Sequence, residues 1–435
     1  MDRSNTNLKT IDRCRICGSR ELESVLDMGP QHVASAFIRD VIDESLSKPY
    51  PLELVRCAAK KGCGLVQLRH SVHPSILYRD YGYQSGITQL MRINLKAIAQ
   101  GAESAVSLKR GDTVLDIGCN DGTLLLAYDT QGVDRLGIDP SKNVAALARA
   151  KELEVVDAYF SAAAYRTARP GKKARIVTSI AMFYDLEDPC TFAKDIHSIL
   201  ADDGVWIIEL SYFPTMLKKR LFDTICHEHL EYYSLEQIDW IMKAAGLCVH
   251  RAEFNDVNGG SFRLYIRKTA FGPVPDADAS HLDVIRKQEE ALRLRDPRVY
   301  AGFKQDIENL KTGLRKVLSD LNASKKRVFV YGASTKGNTI LQFCDVGPLI
   351  SKAADRNPDK WGRRTLGTSI PIISEDEARR EKPDYFLVLP WHFLSEFIER
   401  ETAFLTSGGQ FIVPLPVLQI VGKDPKTGKI LRTAL

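Results

Sequence analysis

The spacing of hydrophobic positions changes several times along the chain. In the first 70 residues they form short runs such as Leu52 to Val55 and Leu65 to Leu68, which suit half-buried strands. Residues 75–105 read as helical, with an aromatic interruption at YRDYGYQSG. From Gly111 a new rhythm begins. VLDIG is an apolar strand ending in a glycine turn, and TLLLAYD opens a helix. RLGID, EVVDA, RIVTSIAM and GVWIIEL repeat the strand pattern, with NVAALARAK as a helix among them. Strands alternating with helices predict a parallel α/β sheet. After a polar stretch at 272–280 come two charged helical segments, roughly 281–295 and 299–323. KRVFVYGAST then starts a second βα unit, and AADRN, DYFLVL and GGQFIVPL continue it as strands.

The pattern therefore predicts three parts: a small module over 1–72, a Rossmann-like α/β domain over 73–270, and a second, smaller Rossmann-like domain over 271–435 that includes the helical linker. A chain of 435 residues is long enough for that division. Its 44% hydrophobic and 26% charged content is that of a globular protein. The net charge of +5 is small and scattered, which argues against a nucleic-acid partner. The N-terminal MDRSNTNLKTIDR lacks an apolar signal region, and no stretch approaches the ~18 apolar residues of a membrane span. The expectation is a cytoplasmic protein with a small-molecule substrate and no membrane partner. The sequence does not indicate the oligomeric state.

Nine cysteines are present, and Cys14, Cys17, Cys57 and Cys63 lie in the first 65 residues. Cys14-Arg-Ile-Cys17 has zinc-knuckle spacing. The second pair is a wider C-x5-C. Four thiolates close a tetrahedral structural zinc site, which suits a module too small for a core of its own.

VLDIGCNDGTLL places Asp116, Gly118 and Gly122 on a strand-to-helix turn, with Asn120 between the glycines. This Asp-x-Gly-x-x-x-Gly is the pattern of class I S-adenosylmethionine (SAM) domains, and it suits a cationic ligand without a pyrophosphate. Gly118 lets the backbone approach the ligand, and Asp116 can order the turn and meet the methionine ammonium. About 20 residues on, Asp139 ends the next strand, where a carboxylate can hold both ribose hydroxyls. Asp157, Ala158 and Tyr159 are expected near the adenine.

FDTICHEHLEYYS holds His227, Glu228, His229, Glu231, Tyr232 and Tyr233 within seven residues. It lies just beyond the IIEL strand, at the carboxyl edge where open α/β sheets bind ligands. On a strand, the two histidines would share one face. Such a segment supplies a base of near-neutral pKa; a solvated surface loop is the plainer reading. GASTKGN is a glycine turn opening a helix, whose N–H groups and Lys336 suit a diphosphate.

Together these segments resemble the sugar C-methyltransferases that act on nucleotide-linked 4-keto deoxysugars. CRICG with CGLVQL resembles their zinc-binding domain, YRDYGYQSGIT their linker, DTICHEHLEYYSL their catalytic segment and NGGSFRLY the strand after it. VYGASTKGNTILQF with DRNPDKWGRRTLGTSIPI resembles their C-terminal domain. The resemblance implies that a base removes the proton α to the sugar's keto group and that the enolate takes the SAM methyl. His229 would be that base, Glu228 its neighbour and Tyr81 an active-site tyrosine. Gly332, Lys336, Gly337 and Asn338 would line the nucleotide-sugar site, and Tyr83, Tyr184 and Asn258 are further candidates to meet the sugar or its enolate oxygen.

Three departures stand out. Cys226 replaces a tyrosine usual just before HEH; Tyr184 or Asp185 stands where a histidine is frequent; and the second cysteine pair is wide. O-methylation of a sugar or related acceptor therefore stays open. So do a noncatalytic SAM- or sugar-nucleotide-binding protein and a metalloenzyme using His227, Glu228 and His229.

Overall fold

The computed structural model describes residues 7–39, 44–78 and 82–435. Its central sheet has seven strands. Their spatial order is Leu247–Asn255, Ser261–Lys268, Leu200–Ser211, Ala174–Ile180, Thr113–Ile117, Asp134–Ile138 and Glu154–Val156. The last five are mutually parallel, whereas Ser261–Lys268 runs antiparallel to both its neighbours. The strand order reverses at Thr113–Ile117, and the crevice beyond its carboxyl end is where such sheets take ligands. The parallel strands read as continuous apolar runs because helices cover both faces. Thr113–Ile117 is buried at every position. The strand Leu247–Asn255 is an addition to the elements read from the sequence. The helix after the first strand, Thr123–Leu126, is a single turn.

A second seven-stranded sheet forms the C-terminal part, so in strand number it equals the first. Ile372–Ser374, Lys352–Asp355, Val328–Tyr331, Tyr385–Val388 and Gln410–Val413 are parallel in that order. Gln419–Lys423 and Ile430–Ala434 add two antiparallel strands. The two charged helical segments divide their packing. Leu282 and Ile285 of helix Asp276–Ala291 bury into the central core, whereas Tyr300, Phe303, Ile307, Leu314 and Leu318 of Pro297–Ala323 bury into the C-terminal core.

The N-terminal module does not close its own sheet. Leu22–Gln31, Tyr50–Cys57 and Val66–Leu68 form three antiparallel strands, and the fourth, Glu231–Tyr232, comes from the segment after the central sheet. The module's apolar residues Leu26, Leu52 and Leu54 share one core with Phe222, Ile225, Leu230 and Tyr331. Cys14, Cys57, Cys63 and Leu65 join the core of the central domain.

All four cysteine sulfurs lie within 4.8 Å of one another, with Cys14 and Cys63 at 3.4 Å and Cys17 and Cys57 at 3.5 Å. Sulfurs around a tetrahedral zinc at ~2.3 Å are ~3.8 Å apart, so the set fits a closed structural site with no open position. It is the only metal-competent cluster of His, Cys, Asp and Glu among the described residues. His227, Glu228 and His229 form no such group, which removes the structural support for the metalloenzyme alternative.

The C-terminal part is tied to the module by Asn338. Its side chain is 1% exposed, and Nδ2 donates to the Ala34 carbonyl at 2.7 Å. Removing a buried amide that satisfies a buried carbonyl costs about 1–3 kcal/mol. Asn338→Ala should therefore lower the urea unfolding midpoint by a corresponding amount; an unchanged midpoint would show that this bond does not hold the parts together. Stripping the metal with a high-affinity chelator should release one zinc per chain. Amide hydrogen exchange should then accelerate in 50–57, 66–68 and 231–232 together, because those strands share one sheet. Acceleration confined to the cysteine loops would refute this coupling.

Candidate active site

Two clusters meet at the carboxyl edge of the central sheet. The first is the loop after Thr113–Ile117. Asp116 is 3% exposed, and its Oδ1 accepts from the Thr178 hydroxyl at 2.6 Å. Burial pushes its carboxyl up to about 7, with the Thr178 bond opposing and Asp139 adding. Gly118 has φ 70°, and a Cβ there would meet Met182 Cγ at 3.3 Å. Gly122 also has positive φ, but its missing Cβ makes room for Leu153 and Ala148, at 2.3 and 3.1 Å. This glycine therefore packs the turn onto the neighbouring helix.

Asp139 holds the loop. Its Oδ2 accepts from the Asn120 N–H and its Oδ1 from the Ser141 N–H, both at 2.8 Å. Asn120 adopts φ 51°, where a short polar side chain is tolerated. Its amide reaches across to the linker: Nδ2 donates to the Tyr83 carbonyl, and Oδ1 accepts from the Ser85 N–H, each at 3.0 Å. Asp121, absent from the sequence-derived site, accepts from the Gly86 N–H at 3.0 Å. The linker is thus clamped directly onto the loop. Asp157 pairs with Arg149, Ala158 N–H donates to the Val156 carbonyl at 3.0 Å, and Tyr159 is 56% exposed. Tyr81 lies outside the described residues.

The second cluster is the HEH segment. It is a turn at residues 226–228, and the surface-loop and strand readings both give way, since Cys226, His227 and Glu228 are all buried. His227 Nε2 lies 3.2 Å from the Tyr50 carbonyl, and Glu228 Oε1 accepts from the Ser35 N–H at 3.3 Å. Both residues therefore engage the N-terminal module. His229 Nδ1 lies 2.7 Å from the Thr224 carbonyl. A carbonyl can only accept, so Nδ1 carries the hydrogen and Nε2 keeps its lone pair. The orienting group is Thr224, five residues upstream, and not Glu228. Burial pushes His229 down to about 4, with Glu228 opposing, so the ring is neutral near pH 7. Tyr184 packs its ring edge-on to His229 at 4.4 Å between centroids.

His229 opens into a narrow pocket lined also by Tyr184, Ser211, Phe213, Met216, Thr224, Glu231 and Tyr232. Of these, Ser211, Phe213, Met216 and Thr224 were not singled out from the sequence. Ser211, Phe213 and Met216 belong to ordinary-looking core stretches, Thr224 precedes the histidines in their own segment, and only the fold turns these four toward His229. Lys336 enters the same region from helix Thr335–Phe343, and its Nζ donates to the Asn258 carbonyl at 2.7 Å. Burial lowers its pKa, while Asp223 and Cys226 oppose that. Asp223, also missed, is 1% exposed and accepts from Trp391 Nε1 at 3.0 Å. Gly332 and Gly337 serve close packing: a Cβ on either would lie 2.5–2.6 Å from Pro390 or Leu389. Of the four C-terminal residues named from the sequence, Lys336 alone extends toward His229.

Family models agree with this layout. A zinc binding domain matches residues 14–78, a methyltransferase domain 87–252, and a C-methyltransferase C-terminal domain 256–416. C-methyltransferase NovU of Streptomyces niveus is 30% identical over 420 residues, covering 96% of this chain and 98% of that protein. Among solved structures, magnesium protoporphyrin IX methyltransferase of Synechocystis with bound SAM is similar at 15% identity and TM-score 0.31, covering 41% of this chain and 79% of that one. A SAM-dependent methyltransferase of Clostridium acetobutylicum is similar at 13% identity and TM-score 0.32, covering 42% and 93%. With NovU matched over nearly its whole length and all three domain models in chain order, the chain belongs to the C-methyltransferase family and is a SAM-dependent methyltransferase with a zinc-binding N-terminal module.

Proposed function

We propose that the protein methylates the carbon α to the keto group of a nucleotide-linked 4-keto deoxysugar. The observation that carries this reading is the 2.7 Å contact between His229 Nδ1 and the Thr224 carbonyl. It fixes the tautomer, so that a neutral imidazole offers Nε2 to a pocket at the ligand-binding edge of the SAM sheet. Nε2 takes the α proton as general base. SAM, when bound, supplies a methyl group on a good leaving group, which the resulting enolate takes. Asp116, Gly118 and Asn120 are assigned to the methionine side of the cofactor, Asp139 to the ribose, and Asp157, Ala158 and Tyr159 to the adenine side. Glu228 beside the imidazole favours its protonated form after proton removal. Lys336 is assigned to the diphosphate, with Tyr83, Tyr184 and Asn258 around the sugar. Gly332, Gly337 and Asn338 shape and anchor the turn that presents Lys336. Among the described residues no helix is long and apolar enough to cross a membrane, and we place the protein in the cytoplasm with its nucleotide-sugar substrate.

In heavy water with SAM and a panel of nucleotide-linked 4-keto-6-deoxysugars, one should gain a methyl group, and unreacted sugar should gain deuterium at the α carbon. NMR of the product should place the methyl on carbon. Methyl on oxygen, with no exchange, would replace this reading with O-methylation. His229→Asn should lower turnover by about 10²–10⁴-fold with unchanged SAM affinity; near-normal turnover would remove His229 as the base.

The Asp116 assignment has a pH signature. A cationic ammonium favours the ionised carboxylate, and in the structure this carboxyl is pushed up to about 7. Below that value SAM binding must expel a proton. Affinity should therefore rise with pH to about 7 and then level off. Calorimetry at about pH 6, in buffers of different ionisation enthalpy, should show proton release that Asp116→Asn abolishes. Equal heats in all buffers would rule out the contact with the ammonium.

A further inference from the structure

We propose that the Tyr232 hydroxyl is the donor that holds the substrate oxygen as it becomes an enolate. This deepens the proposed function and rests on it. Removing a proton α to a ketone breaks the C–H bond. Its electron pair becomes the new C=C bond, the carbonyl π pair moves onto oxygen, and the proton goes to His229 Nε2. The base is a buried neutral imidazole, far too weak to drive that step alone. A donor aimed at the developing oxyanion must supply the rest. The tyrosine that would precede HEH is Cys226 here. Its thiol is a weak donor, and Cys226 Sγ sits 3.8 Å from the Thr224 carbonyl.

The pocket around His229 narrows the choice of hydroxyl. The Thr224 hydroxyl donates to the Leu221 carbonyl at 2.9 Å. Tyr184 has its ring edge against the imidazole. Tyr233 does not line the pocket and packs on Phe183 at 5.5 Å between centroids. Tyr232 lines the pocket. Its hydroxyl touches the Thr224 carbonyl at only 3.4 Å, and that carbonyl is already engaged at 2.7 Å by His229 Nδ1. The phenolic hydrogen is therefore weakly held and can turn to a better acceptor. Because both groups converge on one carbonyl, the Tyr232 oxygen lies within about 6 Å of His229 Nδ1 and at most one ring width farther from Nε2. The α hydrogen and the keto oxygen of a substrate are separated by only two carbons, so one ketone unit can lie between base and donor. Burial also raises the phenol's pKa well above its ordinary value, so Tyr232 stays protonated throughout and gives a hydrogen bond without losing its proton.

The test measures deuterium wash-in at the α carbon with S-adenosylhomocysteine in place of SAM, alongside kcat with SAM, for wild type, Tyr232→Phe, and Tyr232→Phe combined with Cys226→Tyr. Wild type should exchange. Tyr232→Phe should slow exchange and kcat by about 10²–10³-fold with little change in KM or SAM affinity. The added Cys226→Tyr should recover at least about tenfold, because it returns a phenol to the position next to HEH. Exchange by wild type and by Tyr232→Phe at similar rates would overturn this proposal alone. No exchange by wild type would overturn the proposed function and this step with it. Should Tyr232→Phe fail to fold, replacement of Tyr232 by 3-fluorotyrosine keeps the ring and changes only the acidity of the donor. An altered exchange rate is then expected, and an unaltered one would refute the role.

Discussion

The candidate active site depends on a two-residue strand pairing. Glu231 and Tyr232 pair antiparallel with Gln67 and Val66, and the Leu68 N–H donates to the Leu230 carbonyl at 2.8 Å. Through this short ladder the segment carrying His229 completes a sheet whose other strands belong to the zinc module. A two-residue strand has negligible stability alone; it persists because the partner sheet already exists. The cysteine cluster is far from an inert staple in this arrangement. It fixes the template on which the turn bearing His229 is laid down. His227 and Glu228 reinforce the same attachment, through Tyr50 and Ser35.

Arg15 makes the connection electrostatic as well. It stands between the two cysteines of the knuckle, and its guanidinium donates to the Leu68 carbonyl at 2.7 Å and the Ser71 hydroxyl at 2.8 Å. Its Nε approaches Glu231 at 4.0 Å. The Glu231 carboxyl is fully buried and has no hydrogen-bond partner among the described residues. Burial therefore drives its pKa well up, and Arg15 only partly opposes this. Glu231 thus lines the pocket beside His229 with no hydrogen bond among the described residues, whereas Glu228, three residues earlier, accepts from the Ser35 N–H.

Much of this was legible in the sequence, and the limit has a physical cause. Strand positions followed from apolar runs, because parallel strands covered on both faces have no polar positions to blur the signal. The cysteine set, the Asp116 loop and Asp139 followed from local spacing. Leu247–Asn255 escaped because Cys248, His250 and Arg251 break its alternation. The roles of Thr224, Asn120 and Asn338 escaped for a different reason. Each acts through a hydrogen bond to a residue that the fold brings close: Thr224 through its own carbonyl, Asn120 through the linker backbone, and Asn338 through Ala34 some 300 positions away. Spacing patterns report residue types, whereas backbone partners depend on tertiary closure.

The same contrast explains why Glu228, the sequence neighbour of His229, does not orient its ring. Adjacent residues on a strand point to opposite faces and on a tight turn they diverge, so the neighbour in sequence is poorly placed to bond the ring. A carbonyl five residues upstream, brought round by the short helical turn Phe222–Thr224, meets Nδ1 instead. Packing helix Thr335–Phe343 against that turn places Lys336 beside it and lets the Thr339 hydroxyl donate to the Ile225 carbonyl at 3.3 Å. One turn is therefore held by the zinc module on one side and by the C-terminal helix on the other. An imidazole held from both sides keeps its tautomer and direction only while all three parts are assembled, which is a physical reason for these parts to occupy one continuous chain.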